Sequence, residues 1–332
     1  MAGKLISLLA VLVVLSLPAR AGAQGLAQGV IEGQVVNQTP GGGSVAALDV
    51  SLITLAEGEK GETRTTKTDS EGKFRFSAVP VEHRYLVGVN YMEVAYYYPV
   101  EFAAGETTKF IQIPVCDTTT SDRAIRIVMR HVVLRAEEGF FSVKEVIWLA
   151  NQGDRIYVGS EASRVEGRQG TLVFTLPAGA SDFAVPEGSV EDYLVVDSTK
   201  VINTLLFPPG EKQLVYSYRL PRPSSGELVI NLHIDYPTDA LDVIVMGEGI
   251  EVASTRLTPA EPPTEAEAQF IHFRGENLSR NDIVDVRLSS IRGGTNWAFV
   301  IIGIVAAGLI LGLVTRLVRR RGHIQEGQGE YQ

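Results

Sequence analysis

Across residues 30–136 the apolar positions come in short, often β-branched runs that alternate with polar ones and are cut by Gly, Asp, Asn and Pro. No helical period is sustained, so the pattern predicts strands, at 31–37, 49–55, 63–68, 73–76, 85–91, 94–102, 109–113 and 124–133. Short strands at this spacing read as a β-sandwich. A second series follows the break at Glu137-Glu138-Gly139. Residues 141–149 alternate, with Val143, Glu145, Ile147 and Leu149 on one side and Lys144, Val146 and Trp148 on the other, and end in the turn Asn151-Gln152-Gly153-Asp154. Further runs at 172–176, 193–196, 201–207, 212–220, 227–236, 241–246 and 249–253 are punctuated by Pro/Gly turns at 176–179 and 207–210. They predict a second sandwich, Ig-like in layout, over 137–291. The Pro- and Glu-rich stretch 258–268 has the composition of a linker and reads as a long loop, because 269–273 and 283–288 form one more hairpin beyond it.

The two ends of the chain break this alternation. Trp297 to Val314 is uncharged, and as a helix it spans roughly 27 Å, close to the hydrocarbon thickness of a bilayer. Arg316, Arg319, Arg320 and Arg321 follow it, whereas Arg292 alone precedes it closely, which places the tail 315–332 in the cytoplasm. At the other end Lys4, an apolar run over 5–17, Pro18 and the small residues Ala21-Gly22-Ala23 have the form of a secretory signal peptide over 1–23. The fold expectation is therefore all-β: two tandem β-sandwich domains, 30–136 and 137–291, followed by a single C-terminal transmembrane α-helix at 297–314. Both sandwiches are expected outside the cytoplasm, periplasmic or extracellular, with Trp297 and the four arginines anchoring the span to membrane lipid.

The most informative turn is Thr68-Asp69-Ser70-Glu71-Gly72-Lys73-Phe74. An Asp side chain bonds the backbone two residues on and Gly72 tolerates positive φ, so the turn is expected to close a hairpin. Asp-Ser-Glu-Gly lacks the alternating oxygen ligands of a calcium loop. Together with the opening strand Gly33-Gln34-Val35 and the later Val79-Pro80 and Tyr85-Leu86-Val87, this turn resembles the carboxypeptidase regulatory-like domain over about residues 30–113. The resemblance implies a prealbumin-like, carbohydrate-binding-like sandwich with a structural or adhesive role and no catalytic residues.

Tyr91, Tyr96, Tyr97 and Tyr98 are the densest aromatic cluster and the candidate ligand-binding residues, able to meet a sugar or peptide through flat contact with a polar rim. Strand alternation would bury Tyr97 on one face and leave Tyr96 and Tyr98 on the other, making one side core.

Charge narrows the choice of partner. The formal total is −9; the signal region and the tail carry +2 each, which leaves −13 for the region between, a surface that repels nucleic acid. The single cysteine, Cys116, has no internal disulfide partner and no cationic neighbour to activate it. The five histidines show no metal-ligand spacing, and neither a Gly-x-Ser-x-Gly elbow nor a phosphate loop is present. His233 falls on the polar side of its strand. No enzyme activity, metal or cofactor is expected. The reading is an extracytoplasmic binding or scaffold protein that contacts another envelope or exported protein. The alternative is carbohydrate or cell-wall recognition through the tyrosines.

Overall fold

A computed structural model of the chain describes residues 27–55, 61–164, 167, 169–186, 193–196, 199–222, 226–261 and 270–289. The expected signal segment, the 297–314 span with Trp297, Arg316, Arg319, Arg320 and Arg321, and residues 262–268 of the Pro/Glu stretch lie outside these. Among the described residues the chain is all-β apart from one short 3₁₀ turn at Glu161–Ser163, and no helix is long and apolar enough to cross a membrane. It divides into two compact units: one runs up to Val36 and then over Val45–Pro114, the other takes Asn37–Ser44 and everything from Val115 onward.

The first unit has two sheets. One orders its strands β4-β1-β7, from β1 (Gln28–Asn37), β4 (Lys73–Pro80) and β7 (Thr108–Val115). The other orders them β3-β2-β5-β6, from β2 (Asp49–Leu55), β3 (Thr63–Lys67), β5 (Arg84–Tyr91) and β6 (Val94–Glu101). Period-two burial gives each sheet an apolar inner side: Ile31, Val35, Phe74, Phe76, Ile111 and Ile113 from the first, Val50, Leu52, Tyr85, Val87 and Val89 from the second. Gly33 is needed within this side, because a Cβ there would stand 2.3 Å from the Phe74 ring.

The Asp69 turn has the expected chemistry. Its Oδ1 accepts from the N–H of Glu71 at 2.9 Å and of Lys73 at 2.8 Å, and Gly72 sits at φ +78°. It does not close a hairpin, however. The strands on either side, β3 and β4, belong to different sheets, so the turn carries the chain from one layer to the other. Arg64 on β3 spans the same step, donating to the Ser77 carbonyl at 2.6 Å with its guanidinium over the Phe76 ring.

The Gly-rich loop at 39–44, expected to be flexible, is pinned within the second unit. The Asp117 carboxylate accepts from Asn37 Nδ2 at 2.8 Å and from the Gly43 N–H at 3.1 Å, and Thr39 Oγ1 donates to the Asp154 carbonyl at 2.8 Å.

The second unit is built on a seven-stranded sheet, β13-β16-β10-β9-β18-β21-β20. Its strands are β9 (Ile125–Ala136), β10 (Phe140–Asn151), β13 (Ser181–Ala184), β16 (Gly210–Pro221), β18 (Thr238–Met246), β20 (Thr258–Pro259) and β21 (Phe270–Leu278). Smaller sheets supply the opposite side of the core. They are β12-β15-β14, from β12 (Leu172–Thr175), β14 (Tyr193–Val196) and β15 (Lys200–Asn203), and β17-β22-β19, from β17 (Leu228–His233), β19 (Glu251–Ala253) and β22 (Ile283–Ser289). A two-stranded pair joins β8 (Thr118–Thr119) to β11 (Ile156–Tyr157). Phe141, Phe174, Phe207, Tyr216, Leu232 and Val243 lie in one continuous core cluster.

The expected boundary at 136/137 is corrected by this pairing. Glu137-Glu138-Gly139 is not a linker but the tip of the β9–β10 hairpin, in register from Phe141↔Ala136 to Asn151↔Ile125, so the second unit begins at Val115. Gly139, at φ +80°, gives the tip its left-handed residue. A hairpin tip and an interdomain linker share the same polar, Gly-containing composition.

Candidate functional site

Strand β6, at the edge of its sheet, carries three of the four candidate tyrosines. Its partner β5 fixes which way each points: Tyr96 lies opposite Val89 and Tyr98 opposite Val87, both core residues, whereas Tyr97 lies opposite Gly88. Tyr96 and Tyr98 therefore share the parity of the buried Val94 and Val100, although Tyr98 at the sheet edge stays 40% exposed, and Tyr97 points to the outer side, 61% exposed. This reverses the expected assignment. The inner side is set by Val94 and Val100, whose parity Tyr96 and Tyr98 share. Tyr91, at the end of β5, is only 3% exposed and belongs to the core. The four rings form no common platform.

On the outer side of the β3-β2-β5-β6 sheet Tyr97 stands in a small, polar cross-strand row with Gly88, Ser51 and Thr65. A Cβ on Gly88 would stand 3.1 Å from the Tyr97 ring, so the missing side chain gives the tyrosine its seat. The neighbouring cross-strand row is Ile53, Leu86 and Pro99, and Leu55 lies exposed beyond it. Leu55 shares its row with a charged pair, Arg84 lying 3.7 Å from Glu101.

The second unit holds its polar groups inside. Glu145, in the apolar row of β10, is fully buried and accepts from Arg130 Nε at 2.8 Å, Tyr218 Oη at 2.8 Å and Tyr216 Oη at 3.2 Å. Arg130 also donates through Nη1 to the His233 carbonyl at 2.8 Å, while its buried Nη2 has no partner among the described residues. Burial by itself would lower the Arg130 pKa, but the charge of Glu145 outweighs it and the guanidinium is held protonated. Burial first, and Glu145 second, push both tyrosine hydroxyls far above their ordinary range, so they stay donors. The signal legible in the sequence was a lone carboxylate in an apolar alternation, matched by arginine in β9 and by Tyr216-x-Tyr218 in β16.

On the other side of the same sheet, Asp242 of β18 receives His131 Nε2 at 3.2 Å from β9 and His272 Nε2 at 2.8 Å from β21, with Arg274 at 3.4 Å. His131 packs edge-on against Trp148 at 5.1 Å between centroids. His233, by contrast, stays on the polar side of β17, and its carbonyl is the acceptor for Arg130. Burial raises the Cys116 thiol pKa, and Asp117 and Asp154 add to the shift, so the thiolate is disfavoured. Among the described residues no group of three or more His, Cys, Asp or Glu side chains is placed to hold a metal ion. The arrangement can bury carboxylates and present an apolar face. No protein family and no curated protein matches the chain.

Proposed function

We propose that this is a membrane-anchored extracytoplasmic binding or scaffold protein whose β-sandwich modules contact another envelope or exported protein. The observation that carries the reading is the outward apolar row Ile53-Leu86-Pro99 with the exposed Tyr97 in the row beside it, on the edge strand β6. An exposed aromatic anchor flanked by aliphatic side chains and bordered by an Arg/Glu pair is the composition of a protein-contact surface. The likeness of residues 30–113 to the carboxypeptidase regulatory-like domain supports a structural or adhesive role. The uncharged 297–314 segment and the arginines after it support a single-pass anchor.

The test is site-specific photo-cross-linking in intact cells from position 97, compared with position 75, exposed on β4 of the other sheet. Adducts with one exported or envelope protein from position 97 and none from position 75 are expected. Recovery of the protein solely as an uncross-linked monomer overturns the reading.

A further inference from the structure

A cleft of about 310 Å³ opens at one end of the second unit, lined by Arg126, Pro237, Thr238, Asn277, Leu278, Ser279 and Arg280. Three segments build it: the start of β9, the turn between β17 and β18, and the turn between β21 and β22. Its two guanidinium groups are held in place by carboxylates that occupy only part of each. Arg126 donates through Nε to Asp239 at 3.2 Å and through Nη2 to the same carboxylate, while Nη1 has no partner among the described residues. Arg280 donates through Nη2 to Asp122 at 2.5 Å and lies over the Tyr236 ring at 5.1 Å, with Nε and Nη1 unpartnered among the described residues. The Ser279 hydroxyl and the Asn277 amide likewise have no partner there, although the Ser279 N–H is spent on Asp282. Pro237 and Leu278 supply apolar wall.

We infer that this cleft binds a small organic carboxylate, its oxygens taken by the unspent donors of Arg126, Arg280 and Ser279 and its aliphatic stem lying against Pro237 and Leu278. Guanidinium forks match carboxylate geometry, and side chains already fixed by Asp239 and Asp122 lose little freedom on binding. The same two aspartates decide against phosphate. They bring the local charge near zero and would repel a dianion, whereas a singly charged head group needs only the hydrogen bonds. The volume is at the lower end of the range for ligand sites, which suits a stem of a few carbons.

The test is a titration of the full chain with pentanoate at constant ionic strength, followed by the backbone amide resonances of Thr238, Leu278, Ser279 and Arg280. Pentanamide serves as the neutral control and sulfate as the inorganic anion. Saturable shifts confined to these amides are expected with pentanoate and none with pentanamide. Arg280→Gln should weaken binding by about tenfold or more. Ser279→Ala, which touches no ion pair, should weaken it in the same direction and keeps the test open if Arg280→Gln fails to fold. Non-saturating shifts, equal shifts with sulfate (an adventitious ion only), or an unchanged response in Ser279→Ala overturn the assignment.

Discussion

Arg130 and Glu145 meet inside the core of the second unit, Nε to Oε2 at 2.8 Å, from adjacent strands and with at most 1% of either side chain exposed. A buried pair of this kind is costly to desolvate and costly to break, because the survivor is an uncompensated charge in an apolar interior. Arg130→Met alone should therefore destabilise by roughly 3–5 kcal/mol, as should Glu145→Leu alone, whereas the double variant should recover much of that loss. Urea denaturation of the four proteins closes the cycle. A double variant no more stable than the worse single one would contradict the account.

The two tyrosines on Glu145 separate hydrogen bonding from packing. Tyr218→Phe leaves the ring in place and removes one donor, for an expected loss of about 1–2 kcal/mol. Tyr216→Phe, whose bond is longer at 3.2 Å against 2.8 Å, should lose less. Equal losses, read from denaturation midpoints, would show that the difference in bond length carries no energy.

In the first unit a single methyl group should be enough to disturb the core. The Cβ of Gly33→Ala would fall 2.3 Å from the Phe74 ring and 2.9 Å from Ile111, a contact that must force the ring aside, for an expected cost of about 1–3 kcal/mol. Asp69→Ala removes the acceptor for two backbone N–H groups and should cost about 1–2 kcal/mol. Thermal denaturation followed by near-ultraviolet circular dichroism reports both.

The residues behind these predictions show how far local pattern reaches. Alternation located most of the strands, and the Asp69 and Gly72 chemistry was readable because both effects act within five residues. The sheet that each strand joins is set by contacts distant in the chain, so the same turn could not be told apart as hairpin or layer crossing. Glu137-Glu138-Gly139 failed for that reason too: only the pairing of β9 with β10 distinguishes it from a linker. The Tyr97 side chain was placed on the wrong face because a run of three tyrosines has no polar member to set the parity, which Val94 and Val100 decide. Glu145 was placed in the right row, but its partners come from three strands and share no local motif.

Asp117 gives a further test, because its carboxylate gathers both ends of the glycine-rich loop, Asn37 and Gly43. Asp117→Ala removes the acceptor for Asn37 and for the Gly43 N–H, and should cost about 2–3 kcal/mol. Amide hydrogen exchange is expected to quicken at Gly42 and Gly43 while the β9–β10 ladder stays protected. Unchanged exchange at Gly43 would show that the loop is ordered by something other than this carboxylate.

The Asp242 cluster sets the response of the second unit to acid. Burial pushes this carboxyl toward protonation, but the hydrogen bonds from His131 and His272, with Arg274 beside them, outweigh it, and the pKa lies below its ordinary value of 3.8. A carboxyl depressed in the folded state binds its proton more readily in the unfolded chain. Its contribution is therefore complete above about pH 4 and is lost as pH falls through the folded value. Asp242→Asn should be less stable than the parent by roughly 2 kcal/mol at pH 6, with the gap closing between pH 4 and pH 2. Asp122, depressed by its bond to Arg280, keeps its own acid sensitivity in both proteins, so the parent and the variant should differ in slope without either becoming flat. Denaturant midpoints collected in half-unit steps give the comparison. Parallel curves down to pH 2 would mean that Asp242 gains nothing from its two histidines.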